Sequence, residues 1–295
     1  MKCRFPDQLK GVTATGGRGG PLLRSSGRQH RIVLTMATAL ITGGTSGIGA
    51  AFARTLADRG NDIVLVARSR DRLEAMATEL GMAGRTVEII QADLGSRDDV
   101  ARVVARLADD SRPIEILINN AGFGISTDLT DQDSTLHDQA LEVMCRSVLV
   151  LSAAAARSMR LRGAGTIVNV SSTAGFLAMG SYSAIKAWVT TFTESLAVEL
   201  KGTGVRVTAL CPGWVRTELH ERAGIPSSSI PNGMWLNSED LVEACLRDVD
   251  RGKVISIPTL RYRLIIWMVR HAPRSAVRAL SGAISEQRRR HPVAP

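Results

Sequence analysis

The sequence predicts an α/β fold, a single domain on a doubly wound parallel sheet of seven strands. Three observations predict it. From residue 37 onward, short β-rich apolar runs alternate with helical stretches. The strand runs are continuously apolar rather than alternating, which marks parallel strands covered on both faces. The segments between runs carry a helix in each crossover, as parallel neighbours require. With 295 residues and 44% apolar side chains, the chain has material for a large core.

The elements follow in order. Strands are expected at 38–42, 62–67, 86–91, 114–119, 166–170, 205–211 and 253–257. Helices are expected at 48–59, 70–80, 97–107, 134–161, 182–200 and 238–249, with a further helix-like stretch at 275–284. Residues 1–35 are rich in glycine and arginine and read as a disordered basic leader. Met36 stands directly before the first strand and is a candidate translation start. The catalytic domain is expected over 36–257, with a substrate lid at 214–236 and a basic amphipathic extension at 258–295.

Net charge is +9, with an isoelectric point near 10.1. A nucleic-acid or membrane-surface partner is the first thought. The charge sits at the ends, however. Residues 1–35 hold seven Lys and Arg against one acid, and residues 251–295 hold ten against one. The intervening body is mildly acidic, and no helix-turn-helix or aromatic strand platform is evident, so nucleic acid is not expected as a partner. Cys3, Cys145, Cys211 and Cys245 form no CxxC or Cys/His cluster. They read as free thiols of a cytoplasmic protein, with no metal site. The most apolar run, 148–156, falls short of a membrane span.

The first strand runs into Thr42-Gly43-Gly44-Thr45-Ser46-Gly47-Ile48-Gly49 and then an Ala-rich helix. Glycines allow a tight turn and close approach to a pyrophosphate, and the helix N-terminus offers free N–H groups. Because the turn opens the first βαβ unit, it predicts dinucleotide binding on a Rossmann-like sheet. The second strand ends at Ala67-Arg68-Ser69. An NAD site normally places a carboxylate there for the ribose 2′-hydroxyl. Arg68, with Ser69 beside it, instead suits a 2′-phosphate, so NADP(H) is the expected cofactor.

Tyr182 and Lys186 are four residues apart and share a helix face. A nearby ammonium lowers a tyrosine pKa toward the range useful for proton transfer. By themselves the two are also what an ordinary surface helix carries. The order of motifs adds weight. The glycine turn is followed by Asp93-Leu94, Asn119-Asn120-Ala121-Gly122, Ser171-Ser172, Tyr182…Lys186 and Cys211-Pro212-Gly213-Trp214-Val215-Arg216-Thr217. In this order the chain resembles the short-chain dehydrogenase/reductase family, over about residues 37–257, with a ketoacyl- or carbonyl-reductase flavour.

The resemblance implies roles. Thr42, Gly43, Thr45, Ser46, Gly47, Ile48 and Gly49 would cradle the cofactor. Asp93 and Leu94 would meet the adenine, and Asn120, Ala121 and Gly122 would line the cofactor beside Asn119. Ser172 would bind the substrate carbonyl, Tyr182 would donate the proton, and Lys186 would hold the nicotinamide ribose and tune the tyrosine. Pro212, Gly213, Val215 and Thr217 would lie under the nicotinamide. The resemblance also implies a homodimer or homotetramer through the long helices. Two departures stand out. Met144 falls where the family carries a relay asparagine, and the Ser172–Tyr182 interval is short and apolar.

The 214–236 stretch and Phe123-Gly124 suit a greasy pocket, so a lipophilic ketone or 3-ketoacyl-type substrate is expected. The run Arg261–Arg270 (RYRLIIWMVR) fits an interfacial helix with peripheral membrane contact, a cover for the substrate mouth, or a subunit contact. The reading is NADPH-dependent carbonyl reduction. An alcohol dehydrogenase working in the oxidising direction and a non-catalytic NADP(H)-sensing protein remain as alternatives.

Overall fold

Alternate strand residues feed opposite faces of one sheet. In β1 (Thr38–Thr42), Ala39 and Ile41 enter one core while Leu40 enters the other. In β2 (Asp62–Ala67), Ile63 and Leu65 oppose Val64 and Val66 in the same way. Both sets are buried, which is why the runs are apolar throughout. The computed structural model describes residues 37–125, 127–216 and 232–289.

The remaining main-sheet strands are β3 (Val87–Gln91), β4 (Ile116–Asn119), β5 (Gly165–Val170), β6 (Val205–Leu210) and β9 (Ile255–Ser256). All pairings are parallel, in the order β3-β2-β1-β4-β5-β6-β9. This is the expected seven-stranded doubly wound sheet. The last strand is shorter than expected, pairing with β6 only at Ala209–Ile255 and Leu210–Ser256. A short ribbon joins β7 (Trp214–Val215) to β8 (Trp235–Leu236).

One face is covered by α1 (Gly47–Asp58), α2 (Arg70–Met82) and α7 (Ser238–Asp250), which supply Phe52, Leu56, Leu73, Leu246 and Val249 to its core. The other is covered by α3 (Arg97–Leu107), α5 (Ser147–Arg162) and α6 (Gly180–Glu199). The order reverses between β1 and β4, so their loops diverge and leave a crevice at the strand C-termini.

The helix expected at 134–161 is not uniform. It comprises α4 (Thr135–Leu141), a π-helical turn over Glu142–Arg146, and α5. The extra residue of a π turn re-aims the side chains around it, and Met144 lies within this one. The combined helix is long and apolar enough to cross a membrane, but half of its most apolar window is buried in the protein.

The segment after β9 packs back on the body as α8 (Leu260–His271) and α9 (Arg274–Arg289). Tyr262, Ile266, Val277 and Ser281 are its buried contacts. Arg263 donates to the Ile257 carbonyl (2.6 Å) and reaches the buried Asp248 carboxylate (3.5 Å).

Candidate active site

The crevice between β1 and β4 is built from backbone. Gly43 and Gly47 take left-handed φ values of 64° and 53°. A Cβ on Gly49 would overlap the Gly43 carbonyl and the Asn120 amide. The first turn of α1 holds no acidic residue, and its N-cap Ser46 makes no side-chain capping bond. A helix N-terminus of this kind leaves N–H groups that suit a phosphate. Thr45, Ser46, Gly47 and Ile48 are partly open at this end.

Several residues of the expected cofactor site use their side chains to brace the crevice from behind. Thr42 is buried; its hydroxyl donates to the Ile118 carbonyl (3.4 Å) and accepts from the Asn120 and Ala121 N–H groups (3.0 and 3.1 Å). The Asn120 amide donates to the carbonyls of Thr42 and Gly43 (3.0 and 3.2 Å) and pins the turn. Leu94 and Val215 are buried in the two cores, so their side chains cannot line a cleft. Alternation along a strand end puts one neighbour inside for each one outside. Asn119 braces the sheet, donating to Ser152 (3.0 Å) and Asn169 (2.8 Å).

At the ends of β2 and β3 lies a cleft of about 610 Å³, with Arg68, Arg70, Asp93 and Arg102 on its walls. Arg70 is paired with Glu74 and Arg102 with Asp99. Arg68 is exposed and has no ion-pair partner among the described residues. Ser69 accepts from the Arg72 N–H (3.4 Å) and so caps α2. Asp93 closes a tight turn by accepting from the Gly95 N–H (2.9 Å). The glycine cradle and a free guanidinium at the β2 end fit a phosphorylated dinucleotide.

Ser172, Tyr182 and Lys186 converge on the far side of this crevice. Ser171 points away from it, its hydroxyl donating to the Lys186 carbonyl (2.7 Å) beside Thr190, and so seats α6 on β5. Ser172 accepts from the Ala174 N–H (3.1 Å), and its hydroxyl acts on the Tyr182 phenol to lower its pKa. Lys186 is buried; its Nζ donates to the Val170 carbonyl (3.0 Å) and lies 5.7 Å from the Tyr182 ring centre. Burial pushes the Tyr182 phenol up to about 12, against the Ser172 hydrogen bond, which lowers it. Burial also brings Lys186 down to about 8. The sequence led us to expect a lowered tyrosine. Here the ammonium sits at the ring face and bonds a carbonyl, so desolvation dominates.

Met144 is buried in an apolar cluster with Ala140 and Ile185, against which Phe123, Ile125, Cys145 and Tyr182 pack. Its Sδ crowds Gly122, lying 3.0 Å from where a Cβ there would stand. The relay position expected from the resemblance therefore holds a thioether inside a greasy wall, with Tyr182 at its edge.

The substrate side is held by residues without a motif. His137 Nδ1 meets the Ser181 hydroxyl at 2.8 Å, and its Nε2 meets Thr127 Oγ1 at 3.2 Å. One imidazole thus ties the lip after Gly122 to the start of α6. Tyr262 receives the Trp214 N–H (3.0 Å) and donates to the Met234 carbonyl (2.8 Å). Gly213 must be glycine, because a Cβ would enter the Tyr262 ring. Trp214 and Trp235 meet edge to face across the β7–β8 ribbon, 6.3 Å apart. Both ends of the expected lid are thereby clamped to α8. Thr217 and lid residues 217–231 lie outside the described residues, as does the leader. The Ala178 N–H donates to Ser281 on α9 (3.0 Å), and Arg270 stacks on Phe176. The tail therefore backs the short segment between Ser172 and Tyr182. The one sequence signal for Tyr262 is that tyrosine occurs only twice in the chain; His137 gave none.

The short chain dehydrogenase family model matches residues 37–225. An uncharacterized oxidoreductase of Staphylococcus aureus is 31% identical over 234 residues, covering 78% of this chain and 98% of that protein. Among solved structures, a short-chain dehydrogenase from Sphingobium yanoikuyae in complex with NADPH is 37% identical with a TM-score of 0.72. It matches 88% of this chain and 98% of its own. The bulky-bulky ketone specific alcohol dehydrogenase of Comamonas testosteroni is 34% identical, with a TM-score of 0.70, over 87% of this chain and 97% of its own. The sheet order, the glycine turn and the family match agree, and the chain belongs to the short-chain dehydrogenase/reductase family of oxidoreductases.

Proposed function

We propose that this chain is an NADPH-dependent reductase of lipophilic ketones. The observation that carries the reading is the placing of Tyr182, with Lys186 beside its ring, against the apolar wall of Phe123, Ile125, Met144 and Ile185. When bound, the reduced dinucleotide supplies a hydride to the carbonyl carbon. Ser172 holds the carbonyl oxygen, and Tyr182 gives it the proton. With its phenol near 12, Tyr182 stays protonated through the neutral range, as a donor must. Lys186, charged below about pH 8, steadies the phenolate that forms.

Arg68 supports the choice of NADPH, since a guanidinium favours a 2′-phosphate. The NADPH complex of the Sphingobium relative and the bulky-bulky ketone specificity of the Comamonas relative lend further support. The test is NADPH and NADH oxidation, followed by absorbance, against ketones of increasing chain length. Turnover is expected to rise with chain length and to prefer NADPH. Tyr182→Phe is expected to lose about 100- to 10,000-fold in kcat. No turnover with any carbonyl, or equal activity in the mutant, overturns the reading.

A further inference from the structure

We propose that α8 docks this protein on an anionic lipid bilayer. Soluble proteins rarely leave several large apolar side chains together in water. On α8, Leu260, Leu264, Trp267 and Met268 are 79%, 59%, 58% and 50% exposed. They are spaced at i, i+4, i+7 and i+8, so they form one stripe. Tyr262 and Ile266 lie on the opposite, buried side. The stripe is not part of the core, and nothing in the Tyr262 clamp requires it.

Its borders are cationic. Helical spacing puts Arg261 on one flank of the stripe and Arg263 and Arg270 on the other. Arg274 and Arg278 follow at the start of α9, and the sole acid from residue 251 to the end is Glu286. Beside Trp267 is a groove of about 380 Å³, lined by Ile257, Arg263, Ile266, Arg270 and His271. Arg263 is engaged by the Ile257 carbonyl and the buried Asp248, so Arg270 is the guanidinium that stands over the apolar floor, as a lipid phosphodiester above its acyl chains would require.

Charge decides between occupants. A second copy meeting this face across a twofold axis would set arginine against arginine. A nucleic acid would satisfy the arginines but leave the Leu and Trp stripe without apolar cover. An anionic bilayer answers both, with headgroups for the arginines and the acyl boundary for Leu264 and Trp267. Because α8 also backs Phe176, docking would bring the catalytic mouth close to the lipid surface.

The test uses the full chain and two vesicle types, phosphatidylcholine alone and phosphatidylcholine with phosphatidylglycerol. Co-sedimentation is expected with the second and not the first, and to weaken as salt is raised. Leu264→Glu with Trp267→Glu is expected to weaken binding at least tenfold, with the unfolding midpoint and NADPH affinity unchanged. Brominated lipid should quench tryptophan emission in the parent and less so in Trp267→Phe. Failure to bind the anionic vesicles overturns the proposal. So does undiminished binding by the double variant, which would assign it to the basic leader. A parent oligomer that the double variant converts to monomer also overturns it, since a second copy would then cover the stripe. Vesicle binding does not depend on turnover, so the ketone reading and this one fail separately.

Discussion

The two halves of the site are held by different means. The dinucleotide side is made of main chain: strand ends, glycines and the first turn of α1, braced by Thr42 and Asn120. The substrate side is made of single side chains reaching from distant elements: His137 from α4, Tyr262 from α8 and Ser281 from α9. A main-chain cradle is intolerant, because no rotamer can yield to an added atom. A side-chain scaffold gives gradually, one hydrogen bond at a time. Mutations should therefore be severe and uniform on the first side, and graded and substrate-dependent on the second.

The largest expected effect lies in the cradle. Gly49→Val forces atoms into the Gly43 carbonyl and the Asn120 amide. Overpacking of this kind costs about 1–3 kcal/mol or more, and about 1.4 kcal/mol is tenfold. NADPH affinity measured by fluorescence titration should fall by about 100-fold. Near-normal affinity would break the contrast at once.

Next comes Arg68→Glu. It removes a charge-assisted contact, worth about 1.5–3 kcal/mol, and introduces repulsion toward a 2′-phosphate. The ratio of kcat/KM for NADPH to that for NADH should drop by about 10- to 100-fold or more. An unchanged ratio would move the cofactor choice elsewhere.

The pH profile probes where the halves meet. Lys186 has its folded pKa lowered to about 8, so its charge is lost as pH rises through that value. The nascent phenolate then loses its support, and ketone reduction should decline on the alkaline side with an apparent pKa near 8. Lys186→Arg keeps its charge at all accessible pH. Stopped-flow profiles of that variant should lack this limb, whatever its absolute rate.

The smallest effect is expected at Tyr262→Phe. The ring that fills the space over Gly213 remains, while both lid hydrogen bonds go. Each is worth about 0.5–1.5 kcal/mol. KM for the longest ketones should rise about 3- to 10-fold, with kcat and NADPH affinity nearly unchanged. A uniform loss for short and long ketones alike would mean that the ribbon only stabilises the fold.

The same contrast explains what was legible in the sequence. Strand order and glycine turn could be read because a backbone solution demands particular residues at particular spacings, as at Gly43, Gly47 and Gly49. The meeting of Ser172, Tyr182 and Lys186 was legible through their register and the order of motifs. Their proton affinities were not, because the burial that shifts them is a tertiary fact. Thr42, Leu94 and Val215 sat in the motif yet face inward, since a motif records position and not side-chain direction. His137 and Tyr262 had no local pattern, because their partners lie 10 to 48 residues away.

The Tyr262 clamp has a consequence for how this part of the chain can change. One phenol bridges Trp214 and Met234, so these two positions stay neighbours whatever chain runs between them. The entropic cost of joining two fixed ends grows only logarithmically with the length of the connection. Grafts of other lengths and compositions between the same two feet are therefore expected to leave the sheet and the glycine turn as they are.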